Sequence, residues 1–160
     1  MDESKNYQEV LDATELETCI PNVAGKYRRT SEPTINYNCL AWAVGAQWAW
    51  FDPEKGCVGH FWPEGIEREW SITAIRKLLS HFGFKEESDN QVWEDGYLKL
   101  AVYLDKNDFP AHFARQLENG KWTSKCGDLI DIEHDDLECL ECEEYGSARL
   151  FFKRKVIKPA

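Results

Sequence analysis

The sequence lacks an apolar run long enough to span a membrane, and it has little basic charge. Its 160 residues include 19 Lys and Arg against 29 Asp and Glu, which gives a formal net charge of -10. A membrane-spanning helix needs about 20 apolar residues in a row. Nucleic-acid-binding proteins normally present a basic patch to the phosphates. We therefore expect neither a membrane protein nor a nucleic-acid-binding protein.

Signals for secretion and for common cofactors are also lacking. Residues 1–10 do not show a basic stretch followed by an apolar one, which is the pattern of a secretory signal. Without that signal, the six cysteines are expected to be free thiols in a reducing compartment, so we expect a cytoplasmic protein. The sequence has no glycine-rich phosphate loop and no nucleophile-elbow serine, and we expect no cofactor.

Aromatic residues, in contrast, are abundant. Hydrophobic residues make up 42% of the chain, charged residues 30% and aromatic residues 13%, and there are seven tryptophans. This composition predicts one globular domain. The rings predict either a heavily aromatic core or a cleft lined with aromatic side chains. Four tryptophans are candidates for such a cleft, although core packing explains most of them equally well: Trp48, Trp50, Trp62 and Trp70.

The pattern along the chain predicts helices first and antiparallel strands after them, which is an α+β fold. Residues 1–33 are expected to form an arm or loop, and residues 34–156 to form the folded domain. A helix over Asn38–Trp50 is apolar on nearly every face and should be buried in the middle of the fold. The other predicted elements are a helix over about Ser71–Phe82, a half-buried strand over Leu98–Leu104, a hairpin of Ala111–Leu117 and Lys121–Lys125, a short helix within Asp131–Glu144, and a last strand over Ala148–Val156.

Cys39 is the candidate nucleophile because it lies at the start of the predicted buried helix. A thiol attacks as the thiolate, which is favoured at a helix N-terminus or beside an imidazolium. Cys39 directly follows Asn38, a good N-cap residue, so unpaired backbone N–H groups should surround its sulfur. The alternative is a buried cysteine with a purely structural role, which is common.

His112 is the candidate general base. In an alternating strand it shares a face with Ala114, whose small side chain would let a helix approach closely. The alternative is a core histidine held by hydrogen bonds.

The residue that would orient His112 depends on the hairpin turn. A loop of residues 118–120 that ends in a left-handed glycine makes Ser124 a same-face neighbour of His112. Asp128 is the neighbour on the other side if pairing continues, and His134 is a more distant alternative. A two-residue turn would instead place Ser124 on the opposite face.

Several of these segments resemble the motifs of a bacterial protein family that has no assigned function. The matching parts are residues 38–43, 112–116 and 122–127, with a later histidine and a Tyr-Gly pair, His134 and Tyr145-Gly146. The resemblance covers about residues 34–154.

In organisation this family is similar to NlpC/P60 and papain-like cysteine peptidases. These proteins have a cysteine that opens a buried helix, a histidine that begins a strand, and a polar residue on the next strand. The resemblance implies a papain-like fold in which a central helix carrying Cys39 packs on an antiparallel sheet carrying His112. Ser124 takes the third position, where NlpC/P60 proteins usually have His, Asn or Gln. Candidate substrate-binding residues are Asn38, Trp42, Trp62 and Lys125.

Three functions follow as hypotheses. The first is a cysteine hydrolase of the peptidase or amidase type, which acts on a protein or peptide. The second is a non-catalytic acidic module, like an inhibitor or immunity protein, that binds a basic partner protein. The third is a zinc-stabilised domain, because two pairs of residues have metal-ligand spacing, Cys57 with His60 and Cys139 with Cys142. We expect no metal, since neither pair forms a clear zinc knuckle.

Overall fold

The structure is a computed structural model that describes residues 3–54 and 60–156, with side chains described from residue 9 onward. Its helices are α1 (Glu3–Cys19), α2 (Cys39–Val44) and α3 (Ile72–His81), with 3-10 turns at Pro21–Val23 and Glu138–Leu140. Its strands are β1 (Tyr27–Arg29), β2 (Trp50–Phe51), β3 (His60–Phe61), β4 (Glu86–Ser88), β5 (Tyr97–Leu104), β6 (Pro110–Gln116), β7 (Trp122–Lys125), β8 (Asp131–His134) and β9 (Ser147–Lys155).

Seven strands form one antiparallel sheet in the order β1-β8-β7-β6-β5-β9-β4. Strands β2 and β3 form a small parallel pair beside it. The fold therefore mixes helices with a mostly antiparallel sheet, which confirms the predicted α+β class. Among the described residues, no helix is both long enough and apolar enough to cross a membrane.

The large sheet is covered on both faces. On one face, Leu100 and Val102 of β5 pack with helices α2 and α3. On the other face, Ala101 and Tyr103 pack with the end of α1 and with the two 3-10 turns. The prediction of a half-buried β5 was therefore wrong, because the N-terminal segment covers the face that the pattern left open to solvent.

Residues 1–33 contribute to this core. Leu16 is 1% exposed, and Val23 is fully buried in the cluster on the second face. Strand β1 pairs with β8, which places it at one edge of the large sheet. The segment predicted as an arm or loop thus supplies a helix, an edge strand and part of the second core layer.

Helix α2 is shorter than predicted. It ends at Val44, because Gly45 adopts a left-handed conformation with φ 88°. The N–H of Ala46 donates to the carbonyl of Ala41 at 2.8 Å, which closes the helix end. Alanine-rich composition favoured a longer helix, but this glycine cap terminates it.

Local signals located α3 and the β6–β7 hairpin correctly, whereas β8 lies at the start of the segment that was predicted to hold a short helix. Ser71 caps α3 by accepting a hydrogen bond from the N–H of Ala74 at 3.1 Å, and Gly83 follows the helix with φ 93°. In the hairpin, the N–H of Leu117 donates to the carbonyl of Lys121 and Gly120 has φ 84°, which confirms the predicted three-residue loop.

Candidate functional site

Cys39 is positioned by the residue before it. The side-chain oxygen of Asn38 accepts hydrogen bonds from the N–H groups of Ala41 and Phe51, each at 3.2 Å. Its amide nitrogen donates to the carbonyl of Phe51 at 2.7 Å. Asn38 therefore caps α2 and ties the start of that helix to β2, as a buried structural residue that is 6% exposed.

Cys39 lies in the wall of a cavity of about 520 Å³. Aromatic rings form much of the wall, and three carboxylates belong to the lining. The lining residues are Asn38, Cys39, Trp50, Asp52, Trp70, Asp105, Phe109, Pro110, Ala111, Phe113, Gly127, Glu144 and Tyr145. Loops and strand ends provide most of these residues, so the cavity sits where α2, β2 and the start of β6 meet.

Two opposing effects act on the Cys39 thiol. Burial raises its pKa to about 11. Backbone hydrogen bonds from Phe113, Leu40 and Cys39 itself oppose this rise, and the charge of Lys125 adds a smaller opposing effect. Burial dominates, so the thiol is protonated at neutral pH in this state.

His112 is fully buried, and neither ring nitrogen has a hydrogen-bond partner among the residues that the structure describes. Its ring stacks on Tyr145, with centroids 4.1 Å apart and planes at 8°, and it meets the ring of Tyr103 edge-on at 5.2 Å. Burial lowers the pKa of His112 to about 3, so its imidazole is neutral. No hydrogen bond joins it to Cys39.

The face of the sheet explains this separation. Helix α2 packs with Phe113 on one face of β6, whereas Ala114 belongs to the core cluster on the other face. His112 shares the face of Ala114 by strand alternation, as predicted, but the helix approaches the opposite face. The expectation that Ala114 makes room for the helix was wrong.

Ser124 makes no hydrogen bond to His112. Its hydroxyl lies 2.8 Å from Nε2 of His134, and both residues are fully buried. Nδ1 of His134 lies 2.8 Å from the carbonyl of Asp136, which can only accept. Nδ1 therefore carries the proton, and the Ser124 hydroxyl donates to Nε2. Burial lowers the pKa of His134 to about 4. Ser124 and His134 thus form a neutral buried pair of their own.

Asp128 is exposed and lines a second cavity of about 750 Å³ rather than the His112 environment. Trp50 lines both cavities, so they adjoin. The second cavity is also lined by Ile35, Asn36, Gln47, Trp48 and His60.

Most of the predicted substrate-binding side chains have structural partners instead. Trp42 Nε1 donates to Thr123, and Trp62 Nε1 donates to the carbonyl of Glu67. The ammonium of the buried Lys125 donates to the carbonyls of Gly127 and Leu129 at 2.7 and 2.6 Å. Of the four predicted residues, Asn38 alone is among the residues that line the Cys39 cavity.

The described residues do not support the zinc hypothesis. Cys57 lies outside them, and no group of three His, Cys, Asp or Glu within them is arranged to hold a metal ion. Cys139 belongs to the core cluster on the second face, whereas Phe61, the neighbour of His60, packs on the first. Of the four predicted ligands, those that the structure describes are therefore divided between the two sides of the sheet.

Tyr145 is the site residue that the catalytic analysis of the sequence missed. It lines the Cys39 cavity and stacks on His112, so its ring connects the two. The only sequence signal for it was the Tyr-Gly pair. Gly146 has φ 73°, and a Cβ added there would lie 1.8 Å from the carbonyl oxygen of Leu104. That close approach fixes the backbone next to Tyr145.

This α+β domain has a thiol in the wall of an aromatic, acidic cavity. It matches a protein family that is defined by sequence similarity. The family model matches residues 28–153 and is described as a domain of unknown function, DUF7689. The chain is a member of that family. No curated protein and no solved structure matches the chain.

Proposed function

We propose that this domain is a cysteine hydrolase with a papain-like, NlpC/P60-like organisation, in which Cys39 attacks an amide or related acyl bond. The observation that carries the proposal is the position of the thiol, in a cavity wall and at the start of the capped helix α2, where neighbouring backbone N–H groups oppose the effect of burial on its pKa. Donors of this kind favour a thiolate, and they also favour the oxyanion that forms when a carbonyl is attacked.

The proposed reaction has two steps. Cys39 Sγ forms a bond to the carbonyl carbon, the bond from that carbon to the leaving nitrogen breaks, and the proton of the thiol passes to the leaving amine. Water then attacks the thioester and releases the acid and the free thiol. The backbone N–H of Cys39 helps to hold the oxyanion in both steps.

His112 is the proposed proton carrier. A buried polar group without a hydrogen bond costs about 1–3 kcal/mol, so an imidazole with two unpaired nitrogens calls for an explanation. Structural hydrogen bonding does not explain His112, since it makes no hydrogen bond within the described part of the chain. A rotation of Tyr145 would uncover the imidazole on the side that its ring now stacks against. Solvation would then return the pKa of His112 towards its ordinary value of 6.5.

A second candidate function is a non-catalytic module that binds a basic partner. It is favoured by the protonated resting thiol, whose pKa is about 11, and by the absence of a hydrogen bond between Cys39 and His112. In that case the cavity would bind its ligand and leave it unchanged.

Acylation by p-nitrophenyl acetate separates these two functions. We expect Cys39 to form an acetyl thioester faster than the exposed Cys19, as measured by peptide mapping, with a burst of p-nitrophenolate that Cys39→Ser abolishes and Cys19→Ser retains. His112→Phe keeps a ring against Tyr145 but removes the base, so it should slow acylation of Cys39 by about 100-fold or more.

Two results would overturn the hydrolase proposal. One is acylation of Cys39 that is no faster than that of Cys19. The other is an unchanged rate in His112→Phe, provided that unfolding experiments show a folded variant. Either result would leave the binding module as the function to pursue.

A further inference from the structure

Exposed apolar side chains gather around the two adjoining cavities. Ile35 and Trp48 are 74% and 64% exposed and line the larger cavity, while Phe109 is 52% exposed and lines the cavity at Cys39. Large apolar side chains that cluster on a surface mark interaction sites, whereas single scattered ones do not. Trp50 belongs to both linings, so we define the two cavities together as the Trp50 groove.

The charges that line the Trp50 groove are nearly all of one sign. Asp128 lies in the larger cavity, and Asp52, Asp105 and Glu144 lie in the cavity at Cys39. Among the residues that the structure describes, no lysine or arginine belongs to either lining, and His60 is the one basic side chain there. Aromatic faces next to carboxylates attract ammonium and guanidinium groups through cation–π and Coulomb interactions.

We propose that the Trp50 groove docks an extended basic segment of a partner protein. Apolar contacts to Ile35, Trp48 and Phe109 would hold the segment, and a lysine or arginine side chain would enter between the carboxylates and the rings. Charge complementarity selects this occupant, since the whole chain carries a net charge of -10 and the groove concentrates carboxylates beside exposed rings. The docked segment is the substrate only if the proposed hydrolase function holds, and docking itself does not depend on it.

The test uses the full chain with Cys39→Ser, so that thiol chemistry does not interfere. Fluorescein-labelled heptapeptides of alternating alanine and lysine serve as probes, with matched peptides in which norleucine or glutamate replaces lysine. Fluorescence anisotropy should show that the lysine peptide binds about tenfold or more tightly than either of the others, which corresponds to about 1.4 kcal/mol.

Matched variants locate the binding. Asp128→Asn with Glu144→Gln removes one exposed carboxylate from each half of the groove and should weaken lysine-peptide binding about tenfold. The control, Asp89→Asn with Glu118→Gln, removes the same charge from exposed positions outside the groove and should have little effect.

A second pair of variants tests the apolar contacts. Trp48→Ala should weaken binding by a similar factor, whereas Val92→Ala, which is 66% exposed and outside the groove, should not.

Several outcomes would refute the docking proposal. Equal binding of the lysine and norleucine peptides would show that the positive charge of lysine does not contribute to the affinity. Equal weakening by the groove pair and the control pair would show attraction to the acidic surface in general. If the lysine peptide binds as expected but Cys39 does not acylate, the hydrolase proposal fails and docking stands. If Cys39 and His112 support acylation but no peptide binds, docking fails and the hydrolase stands.

Discussion

Replacement of Asn38 by alanine should destabilise the protein far more than loss of an ordinary helix cap. The alanine variant loses the hydrogen bond to Ala41 and both hydrogen bonds to the backbone of Phe51. Loss of a cap costs about 1 kcal/mol. Phe51 is fully buried, and each orphaned backbone group there costs about 1–3 kcal/mol. We therefore expect the free energy of unfolding to fall by about 3–7 kcal/mol.

Ser71→Ala is the matched control. The Ser71 side chain caps α3 by accepting a hydrogen bond from the N–H of Ala74, and it bonds to no second backbone segment among the described residues. Its loss should cost about 1 kcal/mol. Urea unfolding, followed by tryptophan fluorescence and by circular dichroism, gives the free energy of unfolding of both variants. The comparison is justified if this free energy depends equally steeply on urea concentration in the two variants.

The difference between the two variants tests the reasoning. If Asn38→Ala lowers the free energy of unfolding no more than Ser71→Ala does, the hydrogen bonds between Asn38 and Phe51 do not stabilise the protein. Asn38 would then not be the residue that fixes the position of Cys39. Asn38→Asp keeps the accepted hydrogen bonds but turns a carboxylate oxygen towards the carbonyl of Phe51, and both of these groups can only accept. We expect it to cost more stability than Ser71→Ala, because repulsion between the two oxygens adds to the lost hydrogen bond.

Two further predictions concern acid and backbone geometry. Because the pKa of His112 is about 3 in the folded state and ordinarily 6.5, its contribution to stability is complete above pH 6.5 and declines as pH falls towards 3, by about 1.4 kcal/mol per pH unit. Urea unfolding between pH 7 and pH 4 should show that the free energy of unfolding of His112→Phe declines less with falling pH than that of the wild type. Replacement of the exposed His81 by Gln should leave the decline unchanged. A decline in His112→Phe as steep as that of the wild type would contradict the prediction. Gly146→Ala should cost more than about 4 kcal/mol or prevent folding, because its Cβ would overlap the carbonyl of Leu104, while Gly65→Ala, with similar φ and open space, should cost about 1–2 kcal/mol. Equal costs for the two glycines in thermal or urea unfolding would refute the clash.

Local rules made much of the fold predictable. Ser71 and Gly83 mark the ends of α3, and the apolar positions between them have helical spacing. Gly120 fixes the hairpin turn and, through it, the register of β6 with β7. In both cases the residues that decide the geometry are close together in the chain.

The short strands were not predictable in this way. Strands β1 and β4 have three residues each and largely polar sequences, Tyr27–Arg29 and Glu86–Ser88. Alternation cannot be recognised over so few residues. Their pairing partners, β8 and β9, lie more than 50 residues away in the chain, so tertiary contacts rather than propensity decide that they form.

The candidate site was predictable only in part. The sequence indicated that Cys39 opens a capped helix and that His112 shares a face with Ala114, and the structure agrees on both points. The sequence could not indicate which face of the sheet α2 covers, because that depends on where the N-terminal segment packs. Tyr145 enters the site from a loop near the other end of the chain, and a loop position has no periodicity to reveal it.

The two ends of the large sheet limit how molecules of this protein can associate. An edge strand with free N–H and C=O groups can template further strands and lead to fibrils. Here each outermost strand has only three residues, and charged side chains flank its backbone groups, Arg28 and Arg29 in β1 and Glu86 and Glu87 in β4. Short, charged edges of this kind disfavour strand addition by another chain. Strands β1 and β4 are thus poor templates for open-ended polymerisation.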